Sequence, residues 1–355
     1  MIKFSEYFRK WLYDENGYYS NYKVIGKEGD FFTAVSTSSF FGGTIAKRII
    51  DTIDSGFVGK NTTIVEIGAH HGYLMADIIQ FIYTLKPKLL KSLEFIIVER
   101  FDTLQTQQIN YLKESFGDAI KLRHVTSLDE LELESAIVVA NEIFDAFSCE
   151  MVYTKDDVLE QAFVDENSHT IEFQECIDIH LIAMCERFGI EKGEIPVGYF
   201  QFAKSMSKAI KKFEFITFDY GDEYPRNDFS CRVYSKHEVF PIFQGMFESV
   251  DINNQKIKDG EKLDFQKLYQ RSDITYDVNF QFLIDSFKKA GIENITYETQ
   301  LKALVNFGII DLLEILHDNA DEKTYLHESN KVKTLLEPTG MGDRFKCAIF
   351  RKGNK

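Results

Sequence analysis

The sequence has few of the patterns that mark secreted, membrane-spanning or zinc-binding proteins. Its five cysteines are scattered, with no Cys-x-x-Cys pair and no histidines at zinc spacing, which disfavours a disulfide scaffold and a structural zinc site. Residues 1–20 lack the apolar core and cleavage site of a secretory signal. No apolar run is long enough to cross a bilayer, because Asn306, Asp311 and Glu314 interrupt the best candidate. We therefore expect a cytoplasmic protein with reduced thiols and no membrane insertion.

Positive charge is also scarce. The chain carries 41 Lys and Arg residues against 56 Asp and Glu residues, a formal net charge of −15. Nucleic acids and anionic membrane surfaces attract clustered Lys and Arg side chains. Both are therefore poor candidates as partners, and cationic, neutral or protein partners are favoured.

Buried strands alternate with helices over much of the chain. Apolar spacing predicts helices over residues 3–14, 38–53, 73–85 and 101–115. The predicted strands are "TTIVEIG" (62–68), "EFIIVE" (94–99), "AIKLRHV" (119–125), "SAIVVANE" (135–142), "KFEFITFDYG" (212–221) and "DRFKCAIFRK" (343–352). Continuous Val and Ile runs with helices between them indicate a parallel sheet covered on both faces. The fold class is therefore α/β, with a doubly wound, mostly parallel sheet.

The chain between the fourth and fifth strands differs in pattern. Residues 149–175 alternate in polarity and contain turn residues, which predicts antiparallel strands outside the main sheet. Further helices are predicted over 177–188, 198–212, 278–290 and 301–316. We expect one domain with insertions rather than two independent domains. Its predicted parts are an N-terminal segment over the cofactor site (1–62), core (63–150), an insertion (151–211) and the remaining core (212–355), with a helical insertion at about 246–335.

A glycine turn follows the first strand of the series, in "TTIVEIGAHHGYLMADII" (62–79). Gly68 and Gly72 lie in this turn, and Glu99 ends the next strand. In an open parallel sheet, ligands bind outside the carboxyl ends of the strands. Gly68 lets the backbone approach a ligand closely, and the Glu99 carboxylate can accept hydrogen bonds from both hydroxyls of a ribose. These residues predict a site for a nucleotide-like ligand.

The turn favours S-adenosylmethionine (SAM) over NAD. A dinucleotide site prefers Gly-x-Gly-x-x-Gly, whereas His70 stands here in place of the middle glycine and Glu66 precedes the turn. A carboxylate repels a pyrophosphate but suits the sulfonium and ammonium groups of SAM. The alternative is that the glycines permit close helix–strand packing and Glu66 is a solvated charge. His70 and His71 are too close for an obvious metal pair, and we expect no metal site.

Short blocks along nearly the whole chain occur in the order of a known family. The blocks include "GYYS" (17–20), "GDFFTAVSTSSFFGG" (29–43), "VEIGAHHGYLMADII" (65–79), "IVERFDTLQTQQ" (97–108), "ANEIFDAF" (140–147), "FDYGDEY" (218–224) and "EPTGMGDRFKCAIF" (337–350). Through them the chain resembles the MidA-type methyltransferases, whose mitochondrial members are complex I assembly proteins. The resemblance implies a Rossmann-like class I methyltransferase fold, SAM as cofactor, and methylation of an arginine side chain in a respiratory complex I subunit.

The chain departs from the family pattern at four places. His70 replaces a second glycine, Val35 and Ser36 replace Pro-Glu, Gly43 replaces Glu, and Phe147 and Ser148 replace Leu-Pro. A Cβ at position 70 is expected to crowd the methionine end of SAM. The missing glutamate at Ser36 removes a polar contact near the cofactor or substrate. These departures favour an alternative function, a non-catalytic SAM-binding assembly factor that binds a client protein.

Arginine methylation requires carboxylates beside the cofactor. Guanidinium is a planar cation, which must be held, aligned with the sulfonium methyl and relieved of a proton. Glu142 lies just past a strand end and is the candidate residue that orients the guanidinium. Asp145 or Asp277 is expected to assist it. The alternatives are helix capping for Glu142 and Asp145 and a loop hydrogen-bond network for Asp277. The candidate cofactor-binding residues are Glu66, Gly68, Gly72, Glu99, Asn141 and Asp30.

Partners follow from the same residues. A protein substrate or client is expected, with a homodimer as a further possibility. A nucleic-acid methyltransferase is disfavoured by the net charge and by the lack of an Asn-Pro-Pro-Tyr-like loop after the fourth strand.

Overall fold

The computed structural model describes residues 1–20, 33–235, 238–242 and 265–353. The chain divides into two compact units. Unit 1 consists of Met1–Phe31, Phe144–Tyr199 and Asp222–Phe282, and unit 2 of Phe32–Ile143, Phe200–Gly221 and Leu283–Lys355. The segment bounds expected from the sequence stay a prediction.

Helices and strands cover most of the described residues. The helices are α1 (Phe4–Tyr13), α2 (Ala34–Thr37), α3 (Ser39–Asp54), α4 (Tyr73–Leu85), α5 (Pro87–Leu90), α6 (Asp102–Phe116), α7 (Ile179–Phe188), α8 (Tyr199–Ala209), α9 (Phe265–Leu268), α10 (Phe280–Lys289), α11 (Gln300–Asn306), α12 (Ile309–Asn319) and α13 (Glu322–Leu336). The strands are β1 (Ile2–Lys3), β2 (Thr63–Ile67), β3 (Glu94–Val98), β4 (Leu122–Val125), β5 (Leu133–Asn141), β6 (Cys149–Lys155), β7 (Val158–Asp165), β8 (Thr170–Glu175), β9 (Lys192–Pro196), β10 (Ile210–Asp222), β11 (Arg232–Ser235), β12 (Glu238–Pro241), β13 (Asp273–Thr275), β14 (Val278–Asn279), β15 (Glu293–Thr299) and β16 (Phe345–Lys352).

Unit 2 contains the predicted doubly wound sheet. Its strands lie in the order β15-β16-β10-β5-β2-β3-β4. The run from β10 to β4 is parallel, and β16 enters antiparallel between β10 and β15. The expected Rossmann-like fold class is therefore confirmed. The chain order reverses between β2 and β5, and a ligand crevice forms at such a switch point, outside the strand ends.

Helices α3 and α4 approach each other closely in unit 2. A Cβ added to Gly42 would lie 2.5 Å from the Cβ of Asp77, and one added to Gly43 would lie 2.5 Å from the Phe81 ring. Two glycines on one face of α3 thus remove the side chains that would separate the helices. Helix α4 covers residues 73–85 as predicted. It begins after Gly72, which has a left-handed backbone, and ends before Pro87.

Unit 1 contains the antiparallel strands predicted after residue 148. Strand β7 pairs antiparallel with β1, β6 and β8, and β6 pairs with β9. Strand β11 pairs antiparallel with β12 and β13. The apolar face of α1, with Phe4, Phe8 and Trp11, packs with buried residues of β6, β7 and β8 in one cluster.

The C-terminal helices differ from the sequence prediction. One helix was expected over 301–316, but the chain forms α11 and α12 with a break at Gly308, whose φ of 93° is left-handed. Helix α13 and strand β15 were not predicted. Within the described residues, no helix is long and apolar enough to span a membrane.

Candidate functional site

The glycine turn of unit 2 lies at the switch point of the parallel sheet. Gly68 follows β2 with φ of 71°, and Gly72 precedes α4 with φ of 79°. A Cβ added to Gly68 would lie 3.1 Å from Cγ2 of Ile143, so the loop after β5 contacts the turn. Both positions need the left-handed conformation that glycine adopts without a steric cost. The turn is therefore held close to the end of β5.

Glu66 is buried beneath this turn. Its side chain is 3% exposed, and the backbone N–H of Met75, in the first turn of α4, donates to its carboxylate. Oε2 of Glu66 is buried and has no hydrogen-bond partner among the described residues. A buried acceptor of this kind requires a donor or a cation. The ammonium and sulfonium groups of SAM are such cations, so this residue fits the predicted cofactor.

Carboxylates near the turn share the electrostatic environment of Glu66. Burial is the main cause that raises the pKa of Glu66 to about 8, and the charges of Asp77 and Glu99 add to the effect. Burial also raises the pKa of Asp77 to about 7. Each carboxylate thus resists ionisation unless positive charge is nearby. The turn is therefore an unfavourable place for a pyrophosphate and a favourable place for a cationic ligand.

Glu99 follows β3 at the same edge of the sheet. The backbone N–H of Phe101 donates to its Oε1 over 3.2 Å. The amide of Gln108 donates to its Oε2 over 3.3 Å and to the carbonyl of His70 over 2.8 Å. Burial raises the pKa of Glu99, while these hydrogen bonds oppose the rise. The carboxylate is thus fixed at the place where the sequence predicts a ribose.

Gln108 is a residue that the sequence analysis missed. It lies on α6, fully buried, and links the glycine turn to Glu99 through its side-chain amide. It stands in the quoted block "IVERFDTLQTQQ", so its position was visible in the sequence. Its role was not, because the contact joins residues 38 positions apart.

His70 and His71 form a pair within the turn. Their ring centroids lie 4.0 Å apart in an edge-to-face arrangement. Burial is the main cause that lowers the pKa of His70 to about 3, and the neighbouring His71 contributes. His70 has φ of 50°, so it keeps a backbone conformation that favours glycine. Neutral rings add no positive charge that would repel a cationic ligand.

Asn141 ends β5 beside the turn, and Glu142 follows the strand. Ile67 pairs with Ala140 across β2 and β5, which sets the next residues, Gly68 and Asn141, side by side. The amide of Asn141 donates to Oε1 of Glu142 over 2.7 Å. Glu142 has φ of 51°, and its backbone N–H donates to the carbonyl of Phe218 over 2.8 Å. Glu142 is therefore held by side chain and backbone.

Two of the departures from the family pattern have local explanations. Ser36 forms a capping box with Thr33 at the start of α2, in which each side chain accepts from the other residue's backbone N–H. At Gly43, the space that a side chain would occupy holds the Phe81 ring, 2.5 Å from an added Cβ. Position 43 therefore accepts a larger residue only if Phe81 moves.

Asp145 and Asp277, the other predicted catalytic residues, belong to unit 1. The Thr275 hydroxyl donates to Oδ2 of Asp145 over 2.8 Å. Asp277 accepts from Arg226 and Arg232, each over 2.7 Å. Two guanidinium groups thus neutralise Asp277, as expected for a loop network that fixes β11 against neighbouring residues. Their predicted roles in catalysis stay predictions.

The structure brings the predicted unit 2 residues to one edge of the sheet. Gly68, Glu99 and Glu142 each follow a parallel strand there. Asp30 lies outside the described residues. All five cysteines are free and buried. Among the described residues, no group of three or more His, Cys, Asp or Glu side chains is arranged to hold a metal ion.

Solved structures share this fold. A crystal structure of a protein from Burkholderia thailandensis bound to S-adenosyl-homocysteine has a TM-score of 0.81 and 22% identity, and covers 100% of this chain and 88% of that chain. A native crystal structure of an uncharacterized protein from the same organism has a TM-score of 0.78, 23% identity and the same coverage, 100% and 88%. At these identities the likeness concerns the fold.

A curated relative and a family model also match. The chain is 24% identical over 180 residues to the "Protein arginine methyltransferase NDUFAF7 homolog, mitochondrial" of Drosophila melanogaster, a match that spans 46% of this chain and 41% of that protein. The chain therefore matches less than half of the relative's length. The model of the family described as "Putative S-adenosyl-L-methionine-dependent methyltransferase" matches residues 44–297. Because that match spans more than half of the chain, the protein belongs to this family, the MidA-type SAM-dependent methyltransferases, and SAM is its cofactor.

Proposed function

We propose that this methyltransferase acts on an arginine side chain of a protein. The observation that carries the proposal is the Glu142 carboxylate. It accepts a hydrogen bond from Asn141 over 2.7 Å at the end of β5, beside the glycine turn. A fixed carboxylate there can bind a guanidinium through charge-assisted hydrogen bonds. The name of the fly relative, a protein arginine methyltransferase, supports the same substrate class. The family resemblance points to a subunit of respiratory complex I.

The chain's own residues contribute binding, orientation and proton acceptance. When bound, SAM supplies a methyl group whose bond to sulfur breaks as a carbon–nitrogen bond forms, leaving S-adenosyl-homocysteine. Glu142 holds the guanidinium and accepts the proton that the methylated nitrogen loses. Holding the reacting groups in attack geometry supplies much of the rate. Glu66 and Glu99 would hold the cationic and ribose parts of the cofactor.

A direct experiment is methyl transfer from labelled SAM into an extract of a strain that lacks this gene. We expect label in methylated arginine, located by mass spectrometry of the acceptor proteins. Label on lysine, on a carboxylate or on a small molecule would contradict the proposed substrate class.

The predicted cytoplasmic location also stays a prediction, since the name of the fly relative places that protein in mitochondria.

A second candidate function is a SAM-binding assembly factor without turnover. The observation that favours it is His70, which has φ of 50° where a glycine is usual in the family, within the turn that meets the cofactor. Such a protein would bind SAM with ordinary affinity and transfer no methyl group to any acceptor in the extract. A client protein captured equally well with and without SAM would support this function.

A further inference from the structure

Three isoleucine and valine side chains in unit 1 are unusually open to solvent. Ile177 is 86% exposed, Ile179 is 73% exposed and Val158 is 44% exposed. Between the two isoleucines, Asp178 caps α7 by accepting from the backbone N–H groups of His180 and Leu181, and its carboxylate pairs with Lys3 over 3.0 Å. These two contacts fix the backbone between the two exposed isoleucines.

The strand register places Val158 and Ile177 on one face of the β7–β8 pair. Glu160 pairs with Glu175, and the backbone N–H of Cys176 donates to the carbonyl of Leu159. The pairing thus continues beyond the strand end and sets Ile177 opposite Val158. Side chains alternate between the two faces of a strand. Val158, Ile177, Glu160 and Glu175 therefore share one face.

Further along, the same face forms the core of unit 1. Ala162 and Val164 on β7 and Ile171 on β8 have the same alternation, and they are buried in the cluster that contains the apolar residues of α1. The face thus runs from a part covered by α1 to a part where its apolar side chains are exposed. We call the exposed part, with Val158, Glu160, Glu175 and Ile177, the Ile177 surface.

Like charges oppose each other on this surface. Glu160 and Glu175 are direct cross-strand neighbours, an arrangement that destabilises a sheet unless a cation lies between them. The turn beside Val158 adds Asp156 and Asp157, both exposed and both with positive φ, 49° and 63°. Lys155 on β6 is the strand partner of Val158 and is the one basic residue among these neighbours.

We infer that the Ile177 surface docks an arginine-bearing, apolar segment of the protein substrate. The side chains of Val158 and Ile177 would contact apolar side chains of the segment. A guanidinium has a planar fork of donors that can bridge two carboxylates, so an arginine fits between Glu160 and Glu175. The inference rests on the proposed function for the identity of the partner, because an arginine methyltransferase must recognise arginine-bearing chains.

The binding test uses a short fluorescein-labelled peptide in which arginine and isoleucine alternate. We expect fluorescence anisotropy to show binding that weakens with salt, and a loss of affinity of at least about tenfold in Glu160→Lys/Glu175→Lys, because close charge pairs dominate such contacts. Ile177→Ser should also weaken binding. The matched control is Glu172→Lys. Glu172 is an exposed residue of β8 that pairs with Phe163 on the opposite face, so this variant should bind the peptide as wild type does.

Several outcomes would overturn the inference. Equal binding of wild type and the double lysine variant would do so, as would equal binding of a peptide with glutamate in place of each arginine. A loss of thermal stability in Ile177→Ser would show that the surface packs against its own chain. Sedimentation showing a wild-type dimer that Ile177→Ser dissociates would identify a second copy as the occupant.

The docking site and the proposed methylation of arginine are tested by separate experiments. Methyl transfer to extract proteins tests the reaction, whereas peptide anisotropy tests the surface without any turnover. A wild type that makes no methylarginine but binds the arginine peptide at this surface would sink the reaction and retain the docking site. If the protein both methylates arginine and docks its substrate at the Ile177 surface, Glu160→Lys/Glu175→Lys should lower methylation of extract proteins at least about fivefold. SAM affinity should be unchanged.

Discussion

The side-chain amide of Asn141 donates a hydrogen bond to Oε1 of Glu142 over 2.7 Å, although the two residues are adjacent in sequence. This contact forms because Glu142 has a left-handed backbone, with φ of 51°, which ends the alternation of β5. The Oδ1 atom of Asn141 is buried and has no hydrogen-bond partner among the described residues. Asn141 thus fixes the Glu142 carboxylate, which we propose binds the guanidinium. Its own Oδ1 atom remains an acceptor for a ligand.

We expect Asn141→Ala to lower methyl transfer by about ten- to hundredfold, the value of a charge-assisted hydrogen bond that positions a reacting group. SAM affinity, measured by calorimetry, should change by less than about threefold if Asn141 acts through Glu142. The control is Asn330→Ala, an exposed position on α13. A fall in SAM affinity equal to the fall in rate would instead make Asn141 a cofactor contact, as the sequence analysis predicts.

Glu99 and Gln108 supply a second prediction. Glu99→Ala should weaken SAM binding by roughly 1.5–3 kcal/mol, because it removes charge-assisted hydrogen bonds to the ribose. Gln108→Leu should weaken SAM binding as well, since its amide holds both Glu99 and the turn. Calorimetry with Glu94→Ala, an exposed position on the same strand, provides the control. SAM affinity that is unchanged in Glu99→Ala would remove the ribose assignment.

The burial of Glu66 predicts a pH dependence of SAM binding. Its pKa of about 8 in the folded protein means that the carboxyl is mostly protonated at neutral pH. As pH rises through this value, the ionised carboxylate attracts the cationic ligand, so affinity should rise by roughly three- to tenfold from pH 6.5 to 8.5 relative to Glu66→Gln. Comparing the two proteins cancels the titration of SAM itself. Parallel pH profiles for the two proteins would contradict this.

The same shift predicts how stability depends on pH in the absence of ligand. Glu66 has a folded pKa of about 8 against an ordinary value of 4.5, so between these values the folded protein binds more protons than the unfolded chain. Its contribution to stability is therefore full below about pH 4.5 and is lost as pH rises through about 8. Urea denaturation should show this loss in wild type and a smaller one in Glu66→Gln.

The contact between Gly43 and Phe81 predicts a packing defect. Gly43→Ala would place a Cβ 2.5 Å from the Phe81 ring, and overpacking of this kind costs about 1–3 kcal/mol of unfolding free energy. Gly43→Ala/Phe81→Leu should recover most of the loss in chemical denaturation. Gly59→Ala is the control, because an added Cβ there meets nothing within 4 Å. A Gly43→Ala variant as stable as wild type would contradict this, because it would show that the Phe81 ring moves aside without cost.

The sequence predicted those parts of the fold that local patterns determine. Helix α4 has its predicted bounds because a left-handed glycine and a proline mark its ends. The predicted helix over 301–316 is interrupted at Gly308, with φ of 93°, because apolar spacing continues through the break and conceals it. Helix α13 was missed, since its polar and charged sequence has a weak apolar stripe.

The site could be predicted only in part. Gly68, Gly72 and Glu99 follow from the strand–turn–helix pattern. The link from Gln108 to the turn, the orphaned Oε2 atom of Glu66 and the space filled by Phe81 depend on contacts between distant residues, which no local pattern specifies. The positive φ of Glu142 was also invisible, because left-handed glutamate is uncommon and no turn residue marks the position.

The most direct measurement compares wild type with Glu142→Gln at saturating SAM. The substitution keeps the shape of the side chain and removes its charge. We expect SAM affinity within about threefold of wild type and methylarginine formation reduced at least about a hundredfold, the contribution expected of a positioned acid–base group. Normal methylarginine formation by Glu142→Gln, quantified by mass spectrometry of extract proteins, would contradict it.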